Sequence, residues 1–267
     1  MKYVRNGFVL LIIFSLPLFV YAVQTKNLTS NPNQKPVETS EIVVSVMGGR
    51  IRSEPNLQGK ILKESTIGAK FTVLEEKNGW SKIELKKAVE NEEAETGWIA
   101  NSITAKFDSA KPGVLYQQIT DKYFKKESMD FRTAKELVEF LPRAADEAKT
   151  FEVGGDLRLK KLTALSNALK AIPIDKKDNS PYKEFLEKYK SEIVYSEPSA
   201  QWYVRSDNSW QLHQRYKDYK IGEEMAWQAA GNPIPGECEG YINCYLYALR
   251  VTNGEYLNFY PNGKYSR

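Results

Sequence analysis

The sequence predicts an α+β multidomain protein: a small all-β barrel at the N-terminal end, then a mainly α-helical C-terminal domain. Three observations carry this. Between Glu41 and Phe107 the chain alternates short Val-, Ile-, Phe- and Trp-rich runs with Gly- and Asn-containing turns. Beyond Ser109 the apolar residues recur at helical spacing instead. The switch between the two periods is abrupt, as expected where an all-β unit meets a helical one.

Residues 1–22 read as a signal peptide. Lys2 and Arg5 form a basic start, Gly7 to Tyr21 is apolar apart from Ser15 and Pro17, and Val20-Tyr21-Ala22 places small residues where a signal peptidase cuts. The apolar stretch, about 14 residues, falls short of the roughly 20 that span a bilayer. An uncleaved anchor is the competing reading. The expectation is an extracytoplasmic protein, periplasmic or secreted, with no stable membrane span once the signal is cleaved. Residues 23–40, "VQTKNLTSNPNQKPVETS", are polar and without periodicity, which predicts a flexible linker.

Charge excludes one class of partner. Without Lys2 and Arg5 the chain carries 36 basic and 34 acidic residues, and residues 41–108 hold 10 basic against 11 acidic. No basic face is visible, so nucleic acid is not expected as a partner. One His and two Cys fall short of a four-ligand zinc pattern, so neither metal nor cofactor is expected.

In the β region, "EIVVSV", "AKFTVLEE", "WSKIEL" and "GWIANSITAKF" read as strands. Turns are marked by Met47-Gly48-Gly49, Pro55-Asn56, Ile67-Gly68, Asn78-Gly79 and Thr96-Gly97. The charged run "KKAVENEEAE" predicts a long exposed hairpin loop. The order of Arg52-Ser53-Glu54-Pro55, "GAKFTVL", Asn78-Gly79-Trp80 and Gly97-Trp98-Ile99 resembles the bacterial SH3-like domain (SH3b), over residues 41–107. That resemblance implies a barrel of five or six strands, common in exported cell-envelope proteins. It also implies a peptide ligand, such as the peptidoglycan stem, met by Arg52, Trp80 and Trp98. For both Trp residues, barrel packing is the competing role. Two departures from the family pattern, Glu54 in place of the usual Gly and the long hairpin, fall in the groove region.

Residues 109–267 predict the helical domain. "DFRTAKELVEFL" places Phe131, Ala134, Leu137, Val138 and Leu141 on one face, with Pro142 interrupting it. "LKKLTALSNALKAI" carries Leu159, Leu162, Leu165, Leu169 and Ile172 and ends at Pro173. Ser180-Pro181 reads as a cap with a first-turn Pro. A small β-hairpin is expected near 192–206. Helices follow around Leu212 to Tyr219, around Met225 to Ala230, and along the stripe Ile242, Tyr245, Leu246, Leu249. Seventeen of the 32 aromatic residues follow Pro181; at helical spacing they predict core more than a sugar-stacking surface.

The two cysteines lie in "GECEGYINC". A Cys at a helix start after a Gly turn resembles the nucleophile of NlpC-type cysteine peptidases, which cut peptidoglycan stems. Those enzymes keep their His well after the Cys, whereas no His follows Cys238 and the sole His213 lies 25 residues before it. Glu237 and Glu239 beside the sulfur would raise its pKa. In an oxidising compartment an even Cys count favours a Cys238–Cys244 disulfide, provided Gly240 lets the backbone fold back; two separate thiols remain the alternative. The overall expectation is a non-catalytic cell-envelope binding or scaffold protein. Its partner would be a cell-wall peptide or an envelope protein. The alternatives are a Cys238 hydrolase and a scaffold acting through the helical domain.

Overall fold

In the computed structural model, residues 40–85, 95–197, 199–232 and 238–267 are described. The expected signal peptide and nearly all of the linker lie outside them, as do Pro235, Gly236, Glu237 and most of the charged run before Thr96.

Seven antiparallel strands form the N-terminal sheet: β1 (Glu41–Val44), β2 (Gly49–Arg52), β3 (Ile61–Ser65), β4 (Lys70–Lys77), β5 (Trp80–Glu84), β6 (Thr96–Ala100) and β7 (Thr104–Lys106). Their order is β3-β2-β6-β5-β4-β1-β7. This exceeds the five or six strands implied by the resemblance, because the chain after Ile103 returns to β1 and pairs Val43 with Ala105. Asn78 and Gly79 both take positive φ, 50° and 79°, and join β4 to β5 as a two-residue hairpin with Lys77 opposite Trp80. That is the turn an Asn-Gly pair favours, since its twist matches the strands.

Alternation sorts the strands into faces. Ile51, Ile83 and Ile99 point inward and close a core with Ile42, Val44, Val73 and Leu85. β1 is buried on both faces: Ile42 and Val44 enter this core, while Val43 between them enters the core of the helices.

The helical part runs α1 (Pro112–Phe124), α2 (Phe131–Glu147), α3 (Phe151–Lys170), α4 (Tyr182–Lys188), the hairpin β8 (Ile193–Ser196) and β9 (Gln201–Val204), α5 (Ser206–Tyr216), α6 (Lys220–Ala230), α7 (Ile242–Leu249) and α8 (Glu255–Phe259). Asp130 and Thr150 cap α2 and α3 by accepting from the N–H groups of Thr133 and Val153. Pro142 does not interrupt α2, contrary to the sequence expectation. Leu141, Ala144 and Ala145 around it are all buried, and that packing outweighs the backbone hydrogen bond that proline cannot make. The expected hairpin near 192–206 is present, with Ile193 opposite Val204.

Sheet and helices share one core. Val43 and Ile67, both fully buried, pack with α1, α2 and α3. Polar contacts follow the same seam. The Ile67 N–H donates to Glu136 Oε1 at 2.7 Å, Tyr123 Oη accepts from the Met47 N–H at 3.3 Å, and Lys70 pairs with Glu147 at 2.9 Å. Gly68, with φ 73°, lies against the Phe140 ring so closely that a Cβ there would collide with it. Thr39–Arg267 accordingly form one compact unit.

Candidate functional site

Each residue expected to meet a ligand lies on the outward face of the sheet. In β6, Gly97 and Ile99 are buried while Thr96, Trp98 and Ala100 are half-exposed; in β5, Ser81 and Ile83 are buried and Trp80 and Lys82 are half-exposed. Register then sets the rows. Arg52 stands opposite Trp98, which stands opposite Lys82; Trp80 stands opposite Ala100. Neither Trp belongs to the buried core of the sheet.

The turn after β2 fixes Arg52. Its Nη1 donates to the Gly59 carbonyl at 2.8 Å, and Asn56 Oδ1 accepts from the N–H groups of Gln58 and Gly59. The Asn side chain thus organises the loop that the guanidinium closes. A shallow groove of about 260 Å³ results, whose lining includes Arg50, Arg52, Leu57, Trp80, Ser102 and Ile103. Arg52 and Trp80 therefore meet in one groove, whereas Trp98 is not part of its lining. No Asp or Glu lines it, and among the described residues no carboxylate pairs with Arg52. Arg50 stands 3.8 Å from Glu64. Such a surface offers an aromatic plate, an apolar wall and a cation that still has donors to give.

Leu57, Arg50 and Ile103 were not singled out by sequence reasoning. Leu57 carried a usable signal: it is a lone apolar residue inside the polar turn Pro55-Asn56-Leu57-Gln58-Gly59, and it is 72% exposed.

The cysteines occupy a different place. The sulfurs of Cys238 and Cys244 lie at disulfide distance, with Cα atoms 5.2 Å apart. Glu239 and Gly240, both at positive φ, supply the reversal, and the Tyr241 N–H closes the turn on the Cys238 carbonyl at 2.7 Å. His213 is fully buried in α5. Its Nε2 lies 3.1 Å from Tyr260 Oη, and its ring sits among Trp210, Phe259 and Tyr260. Burial, helped by the nearby Lys217 cation, holds its pKa below the usual histidine range. Its Nδ1 has no hydrogen-bond partner among the described residues. Among those residues no three His, Cys, Asp or Glu side chains gather as metal ligands, and no helix is long and apolar enough to cross a membrane.

No curated protein and no solved structure matches the chain, and the helical region falls in no family. Residues 47–104, the stretch that carries Arg52, Trp80 and Trp98, match the family model of the bacterial SH3 domain.

Proposed function

We propose that the protein is a non-catalytic binding component of the bacterial cell envelope. Its SH3 domain takes an extended, carboxylate-bearing peptide in the groove between Arg52, Leu57 and Trp80. The cell-wall stem peptide is the ligand of that class an exported protein would meet. One observation carries the reading: among the described residues the Arg52 guanidinium has no acidic partner, and it shares with Trp80 a groove walled by Leu57 and Ile103 that also holds Arg50. An export route rests on the basic and apolar pattern of residues 1–22, and the bacterial SH3 match and the cysteine pair fit that location. The non-catalytic part draws support from Cys238, whose sulfur is engaged by Cys244, and from His213, whose ring lies among aromatic residues.

Co-sedimentation with isolated sacculi, scored alongside release of soluble wall fragments, tests this. Binding should drop about tenfold or more in Arg52→Ala and in Trp80→Ala. It should persist in Cys238→Ser, with no fragments released by any form. Binding that ignores both groove substitutions, or fragment release that Cys238→Ser abolishes, overturns the reading.

A further inference from the structure

Helix α7 is amphipathic in the reverse sense. Ile242, Tyr245, Leu246 and Leu249 recur at the spacing of a single stripe, the pattern that normally faces a core. The expectation from sequence was burial. Instead these four, with Tyr241 and Tyr247 flanking them, are each between 51% and 72% exposed, and α7 buries no residue. The side turned toward the protein carries small groups. Cys244 and Ala248 are half-buried there, and Thr252 just beyond the helix is buried with its hydroxyl donating to the Ala248 carbonyl.

The stripe is held firmly at both ends. The cysteine pair anchors its start. Beyond its end, Tyr256 is buried and donates to Glu223, Tyr265 stacks on Trp227 at 4.5 Å, and the Lys264 N–H donates to Glu223. The helix is thus fastened along a narrow inner edge while its large apolar side chains project outward.

Taking about 200 Å² for a fully exposed side chain of this size, the four stripe residues offer roughly 450 Å². That matches the roughly 300–600 Å² of the largest apolar patch on an ordinary monomer, which is often a functional surface. A standard interface takes roughly 800 Å² from each partner, and the stripe supplies somewhat over half of that. We propose that α7 is a homodimerisation surface, pairing with α7 of a second copy of this chain in antiparallel, two-fold fashion.

Two features favour a second copy over another occupant. From Tyr241 to Leu249 there is no charged residue, so two identical stripes meet across the axis without like charges opposed. Among the described residues, Glu239 stands before the helix and Arg250 after it, and neither has an ion-pair partner there. Antiparallel pairing brings Glu239 of one copy to Arg250 of the other, twice over. An i, i+3, i+4, i+7 stripe is also the shape that receives another helix.

Sedimentation velocity on the full chain, up to about 100 µM, tests this. The sedimenting mass should double with concentration, and Leu246→Glu should remain monomeric throughout with an unchanged circular dichroism spectrum. Tyr245→Lys gives the same readout should Leu246→Glu fail to fold. Glu239→Arg and Arg250→Glu should each raise the dissociation constant about fivefold, because the axis repeats each pair, and the double variant should restore it. A wild-type chain that stays monomeric, or a dimer indifferent to Leu246→Glu and Tyr245→Lys, overturns the proposal. A monomer that instead floats with phosphatidylcholine vesicles, and ceases to float in Leu246→Glu, assigns the stripe to lipid and overturns it equally. None of these outcomes depends on the groove at Arg52.

Discussion

Ile67→Ala tests whether the SH3 domain and the helices fold as one body. Ile67 sits in the turn between β3 and β4, yet it is fully buried against the helical core. Truncation removes three buried carbons and leaves a cavity closed in by helix side chains, a change that costs about 2–5 kcal/mol. Taking about 3 kcal/mol, and about 2–4 °C per kcal/mol for a chain of this length, the melting temperature should fall by about 6–12 °C. The assay follows two signals. Ellipticity at 222 nm is dominated by the helices, and near-ultraviolet ellipticity includes the sheet residues Trp80 and Trp98. In a single cooperative unit both transitions shift together by the same amount. A helical transition that stays at its wild-type temperature while the aromatic signal melts early would refute the shared-core argument. Ile83→Ala, confined to the core inside the sheet, should likewise move both signals.

Glu136 gives a pH-dependent counterpart. Burial, the largest effect, raises its pKa against the opposing pull of the Ile67 N–H and of Arg132. A carboxyl raised in the folded state contributes stability that is complete below its unfolded value and lost as pH rises through its folded value. Glu136→Gln keeps the acceptor and removes that loss. Its denaturant midpoint at pH 7 should therefore equal or exceed that of the wild type, with the advantage vanishing near pH 4. Glu136→Ala leaves the Ile67 N–H without its partner and should cost about 1–3 kcal/mol at either pH. Reducing the cysteines should lower stability by about 2 kcal/mol, the entropy of so small a loop, seen as a drop of about 4–8 °C in a thermal melt. The same treatment should leave sacculus binding unchanged.

How far the sequence reached differs from element to element. Turn chemistry located the β4–β5 hairpin, because Asn78 and Gly79 tolerate the positive φ it needs. The sequence left both Trp residues open to barrel packing, and the register of the sheet turns Ile51, Ile83 and Ile99 inward and Arg52, Trp80 and Trp98 outward. Local rules failed where long-range packing decides. Pro142 should have ended α2, and burial of Leu141 and Ala144 carried the helix through it. The stripe on α7 was visible as a stripe, but periodicity says only which side chains share a face, not whether that face meets the protein or the solvent. Arg52 and Trp80 were found through their order in a family pattern. Leu57 joins them only once Asn56 and Gly59 have folded the turn.

The matched span 47–104 omits β1, which in this protein lies between β4 and β7 and presents opposite faces to two different cores. A gene fragment trimmed to that span would lack the strand that both neighbours pair with, and would lay bare Ile67 where α2 used to cover it. In this chain the SH3 unit shares a strand and part of its packing with the helices. Transplanting it into another scaffold requires bringing Glu41–Val44 and a substitute for the helical cover along with it.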